Sequence, residues 1–140
     1  MIEEPFPAIT MWLALEDADA DNGCLSYVRG SQSRGLRRHG FSDVMGFSQT
    51  ITDYFDAGGA AEADRREEMV MAAQAGDLIV HHAAMIHRAP ANLTSDRSRK
   101  AVGAIFYGAS ARRDETKYEE RQQEIRERAA LLKGQGQGPA

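Results

Sequence analysis

The metal-capable side chains of this 140-residue sequence are four histidines, one cysteine and 21 carboxylates. Three of the histidines, His81, His82 and His87, fall in one stretch, AGDLIVHHAAMIHRAPANLTSDRSRKAVGAIFY, over residues 75–107. A cation site needs three or four such groups converging, and neutral imidazole suits first-row transition metals. Along an unbroken strand, side chains alternate between faces. His81 and His87, an even number of residues apart, could then share a face; His82 and His87 could not. A turn through Ala83-Ala84-Met85 would void either argument. The spacing therefore admits one ligand from this stretch, or two. A lone strand histidine is more often a satisfied structural residue than a ligand.

Arg99 follows on the next strand, flanked by Arg97 and Lys100. A guanidinium pointing into a β-barrel needs a buried anion, and its fork matches a carboxylate bidentately. Histidine on one strand with arginine on the next suits an iron enzyme that uses an acidic cosubstrate. A solvent-facing basic turn fits the same spacing equally well.

Other clusters point less far. The turn EDADADNG at residues 16–23 invites a calcium reading. Counted from Asp17, the calcium loop wants glycine sixth and glutamate twelfth; Asn22 and Val28 stand there. A hairpin-like connection is expected instead. Arg34, Arg37, Arg38 and His39 could meet an anionic substrate, but a solvated loop face is commoner. A cupin-type centre from His81, His82 and His87 lacks an H-x-H pair and a suitably spaced glutamate.

The elements that would position these residues are short strands. Residues 8–15, AITMWLAL, place Ile9, Met11, Leu13 and Leu15 on one face and Thr10, Trp12 and Ala14 on the other. The run is nearly continuous in apolar residues, so both faces are expected to be covered. Further strands are predicted at 24–28, 68–73, 78–82 and 101–107. Residues 31–66 carry the weakest pattern and are expected to form a long functional or mobile connection. One helix is predicted over 116–133, with Tyr118, Ile125, Ala129 and Leu132 on one stripe. Short strands with one appended helix predict an all-β sandwich, jelly roll or barrel.

A chain of this length suits one domain. The formal charge of −4 argues against nucleic acid or an anionic membrane as the main partner. No apolar run approaches the roughly 20 residues of a membrane span. The acidic start, MIEEPFPAIT, lacks the pattern of a signal peptide. The single cysteine, Cys24, fits a reducing compartment and is expected to be a buried thiol. A cytoplasmic protein is expected.

The blocks W-x-A-L, N-G-C-L-x-x-x-x-G-S, A-G-D-L-I-V-H-H-x-x-x-I-H, N-x-T and R-K-A, in that order over residues 8–107, resemble the phytanoyl-CoA dioxygenase family. The resemblance rests on Trp12, Ala14 and Leu15, Asn22 to Leu25, Gly30-Ser31, Gly76-Asp77, His82, Ile86-His87, Asn92 and Arg99 to Ala101. It implies a non-haem iron(II), 2-oxoglutarate-dependent oxygenase on a double-stranded β-helix. His87 then corresponds to the distal histidine of the iron triad. Arg99 corresponds to the arginine that pairs with the distal carboxylate of 2-oxoglutarate, and Trp12 to a residue lining the cosubstrate pocket. His82 and Asn92 match motif positions without an assigned chemical role.

The sequence departs from the family pattern in three places. The H-x-D motif, which supplies the other two iron ligands ahead of the tryptophan, occurs nowhere in these residues. Ala89 stands where a small hydroxyl residue is usual, and Gln32 follows Gly30-Ser31 where the family has histidine. The expectation is an N-terminally incomplete double-stranded β-helix at 1–112, a C-terminal helix at 113–133 and a flexible tail at 134–140. Such a chain would match the C-terminal portion of a dioxygenase acting on a small molecule, and would be inactive alone. The alternative is a non-catalytic binding or interaction module of the same fold. Missing strands would leave an open sheet edge, through which copies could associate.

Overall fold

The computed structural model describes residues 8–41, 49–54 and 59–135. Its centre is two three-stranded antiparallel sheets. The first has the order β6-β1-β8, with β1 (Ala8–Ala14) between β6 (Leu78–His82) and β8 (Ala101–Tyr107). The second has the order β5-β2-β7, with β2 (Leu25–Val28) between β5 (Glu68–Met71) and β7 (His87–Arg88). A hairpin of β3 (His39–Phe41) and β4 (Gln49–Ile51) stands apart. Two helices complete the order, α1 (Gly59–Arg66) and α2 (Glu115–Gln135). This is an all-β sandwich with helical additions, as the strand pattern predicts.

The register of β1 fixes what each face of the first sheet carries. Thr10 pairs with His81 and Ile105, and Trp12 pairs with Ile79 and Gly103. Paired residues share a face in an antiparallel sheet. Trp12, Ile79 and His81 therefore lie together on the face that meets β2. Ile9, Met11 and Leu13 lie on the other face with Leu78, Val80, His82, Val102 and Phe106. The two faces of β1 thus divide as the alternation predicts. The expectation that both are covered fails: on this second face Ile9, Leu78, Val80, Val102 and Phe106 are 42 to 52 % exposed. Two apolar faces show in the sequence as one apolar run, whether or not anything packs on the second.

The connection at 16–23 is not a hairpin. It carries the chain from the first sheet to the second, since β1 and β2 do not pair. Asn22, 1 % exposed, holds it. Its side-chain amide donates to the carbonyls of Asp17 (2.8 Å) and Ser98 (3.1 Å), and its oxygen accepts the Asp19 N–H (2.7 Å). Gly23 has φ +84°, and a Cβ there would stand 2.4 Å from the Pro90 carbonyl oxygen. The N-G of N-G-C-L is therefore a structural requirement.

Of residues 31–66, the described parts, 31–41, 49–54 and 59–66, form more regular structure than their pattern suggests. They hold a 3₁₀ turn (Ser31–Ser33), the β3-β4 hairpin and α1. Arg34 is exposed and Arg37 half-buried, but neither is unpaired. Both pair with Asp64 of α1, which is 2 % exposed; Arg34 does so at 2.9 Å, and Arg37 also meets Asp53 at 3.0 Å. A buried carboxylate needs such partners. Sequence alone could not pair residues so far apart.

Helix α2 extends to Gln135, two residues beyond its expected end. The Arg121 guanidinium lies 4.5 Å from the centroid of the Phe41 ring, which ties α2 to β3. Of the predicted stripe, Tyr118 is exposed and Ile125 half-buried; the side chains of Ala129 and Leu132 lie outside the described residues. So do residues 1–7, 42–48, 55–58 and 136–140, with the acidic start among them. No helix of the described residues is long and apolar enough to cross a membrane.

Candidate functional site

His87 reaches its place through two devices. The turn after β6 closes with the Met85 N–H donating to the His82 carbonyl (2.9 Å). Ser31, fully buried, then holds the returning chain: its Oγ accepts the Ile86 N–H at 2.8 Å and donates to Met85 Sδ at 3.2 Å. The Gly30-Ser31 block thus anchors the segment that delivers His87. Ile86 packs with Val28, Tyr54 and Ile51 behind the second sheet. His87 pairs with Tyr27 across β2-β7 and so shares its face.

Three rings meet between the sheets. The His81 and His87 centroids are 4.7 Å apart, and Tyr27 lies 5.0 Å from His81 and 5.9 Å from His87. Tyr27 Oη is 2.9 Å from His81 Nδ1. His87 Nδ1 is 2.9 Å from the Met85 carbonyl oxygen. A carbonyl can only accept, so Nδ1 of His87 carries the proton and Nε2 presents a lone pair. An imidazole anchored this way is prepared for a cation. His81 is 8 % exposed, and its Nε2 is buried without a hydrogen-bond partner. Burial, then the neighbouring His87, lowers the His81 pKa to about 4. Burial likewise pushes the Tyr27 hydroxyl up to about 12.

The even spacing of His81 and His87 does put both rings on one side, though through a turn rather than along a strand. His82 lies on the opposite face, where its Nδ1 accepts the Ala84 N–H at 3.1 Å and stabilises the turn. His39 is remote; its Nδ1 donates to the Arg37 carbonyl at 2.7 Å. Cys24 is buried, as expected, and its thiol pKa is raised by desolvation. Trp12 lies on the inner face of β1, two residues along from the pair Thr10–His81.

The basic cluster before β8 resolves into unequal parts. Arg97 makes a two-pronged pair with Asp19, at 2.7 Å on each oxygen. Glu16 accepts from Lys100 Nζ and Ser98 Oγ, both at 2.6 Å, which lowers its pKa to about 2. Asn92 closes the loop, donating to the Arg97 carbonyl at 2.6 Å and accepting the Thr94 N–H at 2.9 Å. Half-buried Arg99 has no hydrogen-bond or ion-pair partner among the described residues. Only part of the cluster is a solvent-facing turn; Arg99 is the cation left available.

Tyr27 and Ser31 carry no signal of their role in the sequence beyond lying in matched or adjacent blocks. The only hint for Tyr27 is a phenol within an otherwise buried strand. Among the described residues no three His, Cys, Asp or Glu side chains stand close enough to hold a metal ion. The described residues therefore do not complete the donor set of an iron triad.

Known proteins align with this arrangement. Residues 3–101 match the family described as phytanoyl-CoA dioxygenase (PhyH). Phytanoyl-CoA dioxygenase 1 of Oryza sativa subsp. japonica is 36 % identical over 99 residues, covering 71 % of this chain and 32 % of that protein. Phytanoyl-CoA dioxygenase domain-containing protein 1 of Danio rerio is 34 % identical over 91 residues, covering 64 % of this chain and 29 % of that one. The chain spans about a third of the length of the curated relatives it matches. Among solved structures, the epimerase SnoN in complex with Fe3+, alpha ketoglutarate and nogalamycin RO superposes with TM-score 0.58 at 27 % identity, over 79 % of this chain and 39 % of that one. The non-heme alpha ketoglutarate dependent carbocyclase SnoK superposes with TM-score 0.53 at 26 % identity, over 79 % and 45 %. With the family match covering most of its length, the chain belongs to the phytanoyl-CoA dioxygenase family.

Proposed function

We propose that this chain contributes the distal part of a non-haem iron(II), 2-oxoglutarate-dependent dioxygenase site on a double-stranded β-helix. His87 is the iron ligand, Arg99 the partner of the cosubstrate's distal carboxylate, and Trp12 a wall of its pocket. The observation that carries the reading is His87 itself, with Nδ1 fixed on the Met85 carbonyl and the Nε2 lone pair free. Arg99 supports it, as a half-buried guanidinium with no counter-ion among the described residues. Iron with 2-oxoglutarate would supply the oxidation of a small-molecule substrate. The described residues hold one of the three ligands that chemistry needs, so the 140 residues alone are inactive in this reading. The free, buried Cys24 suits a reducing, cytoplasmic setting.

The test is calorimetric titration of 2-oxoglutarate into the protein and its Arg99→Ala variant, with succinate measured in parallel under iron(II). Weak binding lost in the variant, with no succinate, is expected. Binding indifferent to Arg99 overturns the cosubstrate assignment. Succinate from the 140 residues alone overturns their inactivity.

A second reading has its own observation. Strand β8 pairs on one side only among the described residues, and AVGAIFY carries no charge or proline to guard the open edge. The apolar outer face of the same sheet is exposed beside it. A non-catalytic module that associates through this edge, with a second copy of itself as the simplest partner, fits both features.

A further inference from the structure

The dioxygenase reading gives His87 its purpose but leaves open what holds its ring. Its one hydrogen bond, from Nδ1–H to the Met85 carbonyl, belongs to an exposed side chain. Such a bond competes with water, and its net contribution is modest. Held by it alone, the imidazole would sample other rotamers and both neutral tautomers. A residue that must present one nitrogen in one direction needs its rotamer locked by its neighbours.

We infer that Tyr27 and His81 are positioning residues for His87. They act through the His87 imidazole and are assigned no contact with metal or cosubstrate. The inference rests on the dioxygenase reading for what His87 does, and on geometry alone for how its ring is held.

Three relationships carry it. Tyr27 and His87 are cross-strand partners on β2 and β7, with ring centroids 5.9 Å apart and planes inclined by 32°. Directly paired side chains on one sheet face limit each other's rotamers. His81 comes from the other sheet, and its centroid stands 4.7 Å from that of His87. The His87 ring is thus bounded from both sheets. His81 is itself fixed: it is 8 % exposed, meets the Tyr27 ring edge-on at 5.0 Å, and has Nδ1 2.9 Å from Tyr27 Oη. The three rings close a triangle in which Tyr27 touches both histidines.

The residue types suit this arrangement. An aliphatic side chain at position 81 would strand the buried Tyr27 hydroxyl, and a small one would leave a void against His87. Histidine fills the space with a flat ring and meets the hydroxyl as well. The division of labour is complete with Ser31. Its Oγ accepts the Ile86 N–H at 2.8 Å and so fixes the backbone beside His87, while Tyr27 and His81 fix the ring.

The test uses the 140-residue protein, 15N-labelled at histidine, at pH 7.5. Two-bond nitrogen–proton correlation spectra distinguish the tautomers of each ring. In the parent, His87 should be almost wholly Nδ1-protonated. In His81→Ala and in Tyr27→Phe, that tautomer should fall to about half, as the ring is released to water. The double variant Tyr27→Phe with His81→Phe should restore it, because two apolar rings of similar shape pack against His87 and strand no polar group. Asp64→Asn, which weakens the fold away from these rings, should leave the His87 tautomer as in the parent. If His81→Ala does not fold, Tyr27→Phe and the double variant decide. A His87 tautomer unchanged in the single variants, even with lowered stability, overturns the inference and makes both residues merely structural. A mixture of tautomers in the parent overturns it as well, and so does a loss in Asp64→Asn equal to that in Tyr27→Phe. None of these results bears on the dioxygenase reading, which stands or falls with 2-oxoglutarate and Arg99.

Discussion

Tyr27 Oη lies 2.9 Å from His81 Nδ1, joining two residues 54 positions apart across the space between the sheets. Tyr27 comes from the central strand of one sheet and His81 from an edge strand of the other. The contact closes the sandwich and fixes the His81 ring beside His87. Tyr27→Phe keeps the ring and deletes the hydroxyl, leaving both nitrogens of His81 without partners among the described residues. A loss of about 1–3 kcal/mol in urea unfolding is expected, the cost of stranding a buried polar group. An unchanged midpoint would show that the bond contributes nothing.

His81 also sets a pH dependence. Its folded pKa of about 4 lies below the ordinary value of 6.5, so the fold favours the neutral ring. The unfolded chain takes up the proton first as pH falls. The stabilisation is therefore fully present above about pH 6.5 and is lost between there and pH 4, by at most about 3 kcal/mol. Denaturant unfolding at pH 7.5, 6 and 4.5 should show this slope, and His81→Phe should remove it. Equal slopes in both proteins would assign the effect to other groups.

Asp64 anchors the segment between the sheets. Asp64→Asn leaves Arg37 and Arg34 without their shared buried carboxylate. A cost of about 3 kcal/mol is expected, since removing one partner of a buried pair strands the other charge. Thermal melting checks it, with Glu67→Gln, which touches the exposed Arg29, expected to shift little.

Gly23→Ala should be among the most damaging small substitutions. It places a Cβ 2.4 Å from a backbone carbonyl at φ +84°. A loss of about 2 kcal/mol or more follows from the positive φ alone, with the clash in addition. Stability equal to the parent would mean that the turn relaxes freely.

The open edge predicts association. Sedimentation should show concentration-dependent dimers, and a lysine at Ile105 or Val102 of β8 should shift them to monomers without loss of helicity or strand content. A monomer at all concentrations overturns the edge as an interface.

The sequence by itself determined the local elements and the family. Alternation marks β1, β6 and β8 nearly to the residue, because period-2 patterning is a property of neighbouring residues. The ordered motif blocks identify His87 and Arg99 as candidates. The tertiary structure decided which of those residues have partners. Arg97, Arg99 and Lys100 look alike in sequence, yet Arg97 meets Asp19 and Lys100 meets Glu16, 78 and 84 positions away, while Arg99 meets no partner among the described residues. The basic run at Arg34 and Arg37 reads as surface until Asp64 is seen beneath it. His81 reads as a strand histidine until β2 brings Tyr27 against it. Long-range pairings depend on how the sheets stack, and residue spacing along one strand carries no record of what lies on the strand opposite.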